Sequence, residues 1–143
     1  MPAPSAGCYL DTSSLIRLLT PGHPSRQQLV DLLDEGALWG QLYTSKLTQL
    51  EAARVAIRDR NDALAHEVGR FLEQINVVPI SDDVLERAMG IPFHVKSLDA
   101  IHIASAAAAT VILTSDRNME GVLMQLQQDP ASSYLYPFQR IFG

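Results

Sequence analysis

Short apolar runs alternate with segments of helical period along this chain, and that alternation restricts the fold more than any other feature. GCYL at 7–10, LWGQLYT at 38–44, NVVPI at 76–80 and TVILT at 110–114 read as strands. Asp11 or Thr12 caps a first helix with Leu15, Ile16, Leu18 and Leu19 on its apolar face. PGHP at 21–24 ends it, and Pro24-Ser25 opens a second helix carrying Leu29, Val30, Leu32 and Leu33, with Gly36 as its stop. Ser45 caps a long helix with Leu47, Leu50, Ala53, Val55 and Ile57, and Asn61 or Asp62 starts the next. Ser81 and Gly90 bracket another, Ser97 opens LDAIHIASAAAA, and RNMEGVLMQLQ is the last helix. The tail after Asp129-Pro130 supplies an edge strand or an ordered arm. Strands alternating with helices predict an α/β fold with a central, mostly parallel sheet flanked by helices.

No repeat, linker or low-complexity stretch interrupts this pattern. The 143 residues are therefore expected to form one domain (1–143), long enough to bury a proper core. No apolar run has the length of a membrane-spanning helix. MPAPSAGCYLD has neither the basic nor the apolar region of a secretory signal. The one cysteine, Cys8, cannot form an intrachain disulfide, so a reducing cytoplasm is the expected compartment. It reads as a small buried hydrophobe. A net charge of −5 argues against an avid nonspecific nucleic-acid binder. It leaves room for a nuclease, whose carboxylate site is negative until a metal enters.

Four acids stand out because each sits in an apolar segment where an element should end or begin. Asp11 and Asp116 follow strands directly. Glu51 lies about two turns into its helix and Asp99 in the first turn of another, where the helix dipole favours negative charge. Ligands of parallel α/β sheets bind beyond the carboxyl ends of the strands, so all four can converge on one crevice. A carboxylate is costly to bury unless it is paired or holds a metal. The arrangement therefore points to a divalent-cation site. Each acid also has a base within six residues: Arg17, Lys46, Lys96 and Arg117. These read either as charge balance on solvated ends or as part of a site.

In LDTSSLIRLL, SKLTQLEAAR, KSLDAIHIASA and ILTSDRNM the chain resembles the PIN domain, and within that superfamily the small VapC ribonuclease toxins. The resemblance covers residues 7 to about 126, leaving 130–143 as a tail. The order and spacing of the segments carry it, since each alone is weak. It implies a PIN-like three-layer fold and a catalytic, metal-holding quartet of Asp11, Glu51, Asp99 and Asp116. Ser13 and Thr114 match the family's supporting hydroxyls, with Thr12 beside the first. The implied activity is endoribonucleolytic cleavage of cellular RNA, of the tRNA or rRNA class, with one or two Mg²⁺ or Mn²⁺ ions. The implied partners are RNA, a small cognate antitoxin and a second copy of the chain. The leucine-rich stretch from 12 to 33 would form the antitoxin groove.

The chemistry agrees. Metal-assisted phosphodiester hydrolysis needs an activated water and charge stabilisation on the leaving oxygen, and hard divalent ions take carboxylate and water oxygens. His23, His66, His94 and His102 lack ligand spacing among themselves. His102, three residues after Asp99 on the same helical face, is assigned a structural role. Arg54 and Arg58 read as a solvated helix face or as contacts to RNA or an acidic partner. Arg117 is expected to touch RNA phosphate.

Other classes fit less well. Aspartyl-phosphate phosphatases usually carry a second Asp two residues after the nucleophile, where this chain has Ser13. Neither GxxxxGK(S/T) nor GxGxxG occurs, so nucleotide cofactors are unsupported. A housekeeping RNA-processing nuclease and a non-catalytic interaction module of the same fold are the alternatives.

Overall fold

The alternation resolves into a five-stranded sheet in which every paired strand runs parallel to its neighbours. The computed structural model describes residues 7–130 and, as backbone, 140–142. In chain order the elements are β1 (Gly7–Leu10), α1 (Thr12–Leu19), α2 (Arg26–Glu35), a 3-10 turn (Trp39–Gln41), β2 (Leu42–Ser45), α3 (Lys46–Arg58) and α4 (Asp62–Leu72). Then follow β3 (Asn76–Val78), α5 (Asp82–Met89), α6 (Ser97–Ser105), β4 (Ala109–Leu113), α7 (Arg117–Gln128) and β5 (Arg140–Phe142). The sheet order β3-β2-β1-β4-β5 puts β1 at the centre. The strand order reverses between β1 and β4, which is where open parallel sheets hold their ligands.

Residue alternation along the strands divides the core into two. Cys8, Leu10, Leu42, Val111 and Leu113 point to the face covered by α1–α4, joining Leu15, Leu18, Leu29, Leu33, Ala52, Ala56, Leu64 and Val68. Tyr9 and Ile112 point to the other face, against Ile103 of α6 and Met119, Leu123 and Leu126 of α7; Ala109 joins them because the β1–β4 register shifts beside it. Helices on both faces make the three layers. Each leucine so buried contributes about 1.5–3 kcal/mol relative to exposure. Cys8 is fully buried, and burial pushes its thiol up to about 12, which agrees with its reading as a small hydrophobe.

Caps account for most helix starts. Asp11, Ser45, Asn61, Ser81 and Asp116 each accept a backbone N–H of the following turn. α6 differs: Lys96 occupies its cap position, with no side-chain hydrogen bond, and Ser97 is already helical.

Three boundaries depart most clearly from the sequence reading. Of the run 38–44 only Leu42–Thr44 join β2, which runs on to Ser45, because the first half closes into the 3-10 turn through Gln41 N–H to Leu38 O at 2.9 Å. The strand expected at 76–80 stops at Val78, the last residue paired with β2. The alanine-rich helix stops at Ser105, since Ala106 N–H turns back onto His102 and Ile103 and Ala109 already belongs to β4. Alanine is small enough for helix, turn or buried strand, so composition does not place that boundary. Gly36 does cap α2 as expected, with a right-handed backbone, and the left-handed conformation after the helix falls on Ala37 (φ 52).

The tail expectation lies largely outside the described residues; its described part, β5, is an edge strand beside β4. Among the described residues no helix is long and apolar enough to cross a membrane.

Candidate active site

The adjacency of β1 and β4 places Asp11 and Asp116 together at the carboxyl edge of the sheet, each as the N-cap of the helix that follows. Asp11 is almost fully buried. Its Oδ1 accepts Ser13 Oγ–H at 2.8 Å and Ser14 N–H at 2.9 Å. Asp116 Oδ1 accepts Asn118 N–H at 2.9 Å and Met119 N–H at 3.2 Å. In both residues Oδ2 takes no hydrogen bond from the described residues.

The supporting hydroxyls tie the two strand ends to each other. Ser13 Oγ, while donating to Asp11, accepts Ser115 N–H at 3.0 Å. Thr114 Oγ1, itself buried, accepts Asp116 N–H at 3.0 Å. Asp11 N–H reaches Leu113 O at 3.2 Å.

Glu51 and Asp99 arrive on helices α3 and α6, and both are half-buried. Glu51 Oε1 accepts Thr12 Oγ1–H at 2.6 Å and lies 2.6 Å from His102 Nε2. The bond from His102, followed by that from Thr12, holds the Glu51 carboxyl below the ordinary range despite partial burial. Asp99 shifts the opposite way. Desolvation raises it first, and the negative charges of Asp116 and Glu51 add to the rise against a smaller pull from His102 and Lys96.

All four acids line one cleft of about 400 Å³, together with Thr12, Ser13, Arg17, Arg58 and His102. A larger groove of about 800 Å³ adjoins it through Ser13, Arg17 and His23, and its further lining includes Gln28, Arg117 and Glu120. Among the described residues no three acids or histidines are drawn together into a finished metal cage. The donor set still suits a hard divalent ion in kind. The convergent groups are carboxylates and hydroxyls, and the mutual repulsion that raises Asp99 is what a cation would relieve.

Two of the bases near the acids in sequence, Arg17 and Lys46, hydrogen-bond to other groups. Arg17, mostly buried, donates Nε–H to Ser25 O at 2.9 Å and Nη1–H to Ser115 Oγ at 3.2 Å, and so braces the loop after β4. Lys46 donates to Gln49 at 3.1 Å, and exposed Arg58 pairs with Asp59 at 2.8 Å. Lys96 acts on Asp99 through charge at a distance.

The sequence reading missed the partners of His102. Its Nδ1 lies 2.8 Å from Tyr9 Oη, which lies 2.8 Å from Ser45 Oγ. One signal was available: strand alternation puts Tyr9 on the α6 face, opposite Cys8 and Leu10.

A parallel three-layer sheet with four acids at its switch point defines the class, and family comparison agrees. The PIN domain family matches residues 8–122, and the chain belongs to that family. It is 30% identical over 108 residues to Ribonuclease VapC47 of Mycobacterium tuberculosis (strain CDC 1551 / Oshkosh), spanning 75% of this chain and 79% of that one. Its fold is similar to one in a toxin–antitoxin complex from Klebsiella pneumoniae, with TM-score 0.61 and 23% identity over 77% of this chain and 87% of that one. It is also similar to Mycobacterium tuberculosis VapC20, a sarcin-ricin loop cleaving toxin, with TM-score 0.64 and 16% identity over 80% and 94% of the two chains. At those identities the two structures speak for the fold alone.

Proposed function

We propose that this chain is an endoribonuclease toxin of the VapC kind, hydrolysing phosphodiester bonds in cellular RNA and held in check by a small cognate antitoxin. The observation that carries this reading is the convergence of Asp11, Glu51, Asp99 and Asp116 on one cleft at the sheet's switch point. Kinship with a ribonuclease of the VapC kind supports it.

In this mechanism Asp11 and Asp116 face the cleft with Oδ2, their Oδ1 atoms being fixed by helix-cap amides. Glu51 is fixed from both sides by Thr12 and His102, and Asp99 completes the ring of negative charge. These four residues would hold one or two Mg²⁺ or Mn²⁺ ions, which supply an activated water and charge stabilisation at the leaving oxygen. The RNA strand runs from the cleft into the adjoining groove, where Arg117 meets backbone phosphate. The chain acts in the cytoplasm, as a homodimer when free and with its antitoxin when silenced.

The test is cleavage of total cellular RNA by purified protein. Activity that disappears with chelator and in Asp11→Asn supports the mechanism. Activity that survives both would overturn it.

A further inference from the structure

We propose that the hollow beside Asp99, bounded by His94, Val95, Lys96, Asn118 and Val122, receives one unpaired nucleobase of the RNA, on the opposite side of the cut from the larger groove. This inference rests on the nuclease reading of the cleft. It adds the class of substrate: a nucleotide whose pairing edge is free, as in a loop or a single strand.

Three hollows meet around the first turn of α7, and three consecutive residues divide them. Asp116 lines the acidic cleft, Arg117 the larger groove, and Asn118 a hollow of about 350 Å³ that α7 shares with the segment leading into α6. Asp99 lines both the cleft and this hollow, as Ser13, Arg17 and His23 line both the cleft and the groove. A strand whose scissile phosphate lies among the four acids therefore has the groove on one side and the hollow on the other.

The two outer hollows differ in chemistry. Two guanidinium groups and three serine hydroxyls, against the one carboxylate of Glu120, line the larger groove and suit the sugar–phosphate backbone. The hollow has an apolar floor instead. Val122 is buried in the core on the α6–α7 side, and half-buried Val95 packs against that core. At the rim stand the exposed side chains of His94, Lys96 and Asn118, which have no hydrogen bond or ion pair to a described residue. Lys96 acts on Asp99 only through charge at a distance.

Single-stranded RNA is recognised by such groups: an imidazole against a ring face, an amide against a base edge and an ammonium against phosphate. The carboxamide of Asn118 holds a donor and an acceptor side by side. The Watson–Crick edge of every base offers the complement, but in a duplex that edge is taken by the opposite base. The hollow thus selects unpaired nucleotides and leaves their identity loosely specified. Its volume lies in the lower part of the range of small-ligand pockets, the scale of one nucleotide and not of a duplex. Asn118 also stands at a fixed offset from the cut, because its own N–H donates to Asp116 Oδ1 at 2.9 Å.

The test has two arms on the full-length chain. In the first, adenosine, uridine and, as control, ribose are titrated into the protein without metal. NMR follows the methyl groups of Val95 and Val122 and the side-chain amide of Asn118. Both nucleosides are expected to shift these signals at millimolar concentration, ribose is not, and Asn118→Ala should weaken the shifts of the valine methyls. Signals that stay still, or that answer equally to ribose, would overturn the inference and leave the hollow to a protein side chain, whether or not the protein cleaves RNA.

The second arm takes an RNA that the protein cleaves and removes the base from one or the other nucleotide flanking the cut. Wild-type protein is expected to lose about tenfold in kcat/KM when the base is missing on one side. Asn118→Ala, checked for folding by its melting curve, should shrink that difference between intact and abasic RNA. Equal cleavage of intact and abasic RNA by wild type, or a difference that Asn118→Ala leaves unchanged, would remove the base from this hollow. If wild-type protein cleaves no RNA, the nuclease reading fails while the first arm still decides whether the hollow takes a base.

Discussion

The four acids fall into two pairs that are built differently. Asp11 and Asp116 sit at strand ends and are held by amides of the helices they cap, within three residues of themselves in sequence. Glu51 and Asp99 project from helices. Glu51 is held by side chains 39 and 51 residues away, Thr12 and His102. The first pair serves the fold and the site together. The second pair serves the site and is itself split: Glu51 is stabilised as a carboxylate by His102 and Thr12, whereas Asp99 is raised by desolvation and then by the charges of Asp116 and Glu51. The physical difference is that a capping carboxylate meets converging N–H dipoles, whereas Asp99, on the wall of the cleft, is desolvated and meets other carboxylates.

The largest test of this contrast is substitution at the strand ends. Asp11→Asn and Asp116→Asn keep a capping oxygen but lose the charge. Each is expected to reduce RNA cleavage on the order of a hundredfold or more, and the double variant should lose little further, because the residues act as a unit. Asp11→Ala should add a stability loss of about 1 kcal/mol from the missing cap. Chemical denaturation of the Asn and Ala variants side by side would break the contrast if the two were equally stable.

Metal addition probes the other half. Mn²⁺ or Mg²⁺ at about a hundred times its Kd should stabilise the protein by about 2.7 kcal/mol. Asp99→Asn should melt higher than wild type without metal and gain less on its addition. A melting temperature indifferent to both would dismiss the shared cleft as an ion site.

The supporting hydroxyls come next. Thr114→Val deprives Asp116 N–H of its acceptor, and Ser13→Ala cuts the link between Asp11 and Ser115. Each should cost about 1 kcal/mol and roughly tenfold in activity, less than loss of an acid. Cleavage equal to wild type in both would show that the strand ends hold their geometry without them.

Acid titration should separate Glu51 from Asp99 by sign. Glu51 is lowered in the fold, so its contribution is present above its unfolded value and is lost as pH falls through the folded one. Asp99 is raised, so its charge destabilises at neutral pH and that penalty fades as pH falls through its folded value. At pH 7 Glu51→Gln should therefore melt below wild type and Asp99→Asn above it, and both differences should shrink with acid, that of Asp99 first and that of Glu51 only below the ordinary carboxylate value of about 4. Parallel curves would erase the distinction.

The smallest effect is expected at Arg117, exposed at the mouth of the second groove. Arg117→Ala should weaken RNA binding and flatten its salt dependence by about one phosphate contact. An unchanged slope in filter binding would remove Arg117 from the RNA path.

Periodicity, caps and turn residues lie within a few positions of one another, and the sequence shows them. They placed β1, α1, α3, α4, α5 and α7, and with them Asp11 and Asp116 at the strand ends. Near 38–44 and 97–109 the pattern misled, since a 3-10 turn and a helix stop are decided by which backbone groups find partners. The order β3-β2-β1-β4-β5 depends on packing across the whole chain. That order makes β1 and β4 neighbours and brings α3 and α6 to the same cleft as the strand-end acids. The identities of the four acids could be read in the sequence because the carboxylate itself is unusual in an apolar run. The path from Ser45 through Tyr9 and His102 to Glu51 could not. Ser45, Tyr9 and His102 are ordinary core or cap residues, and only tertiary contact brings them into line behind Glu51.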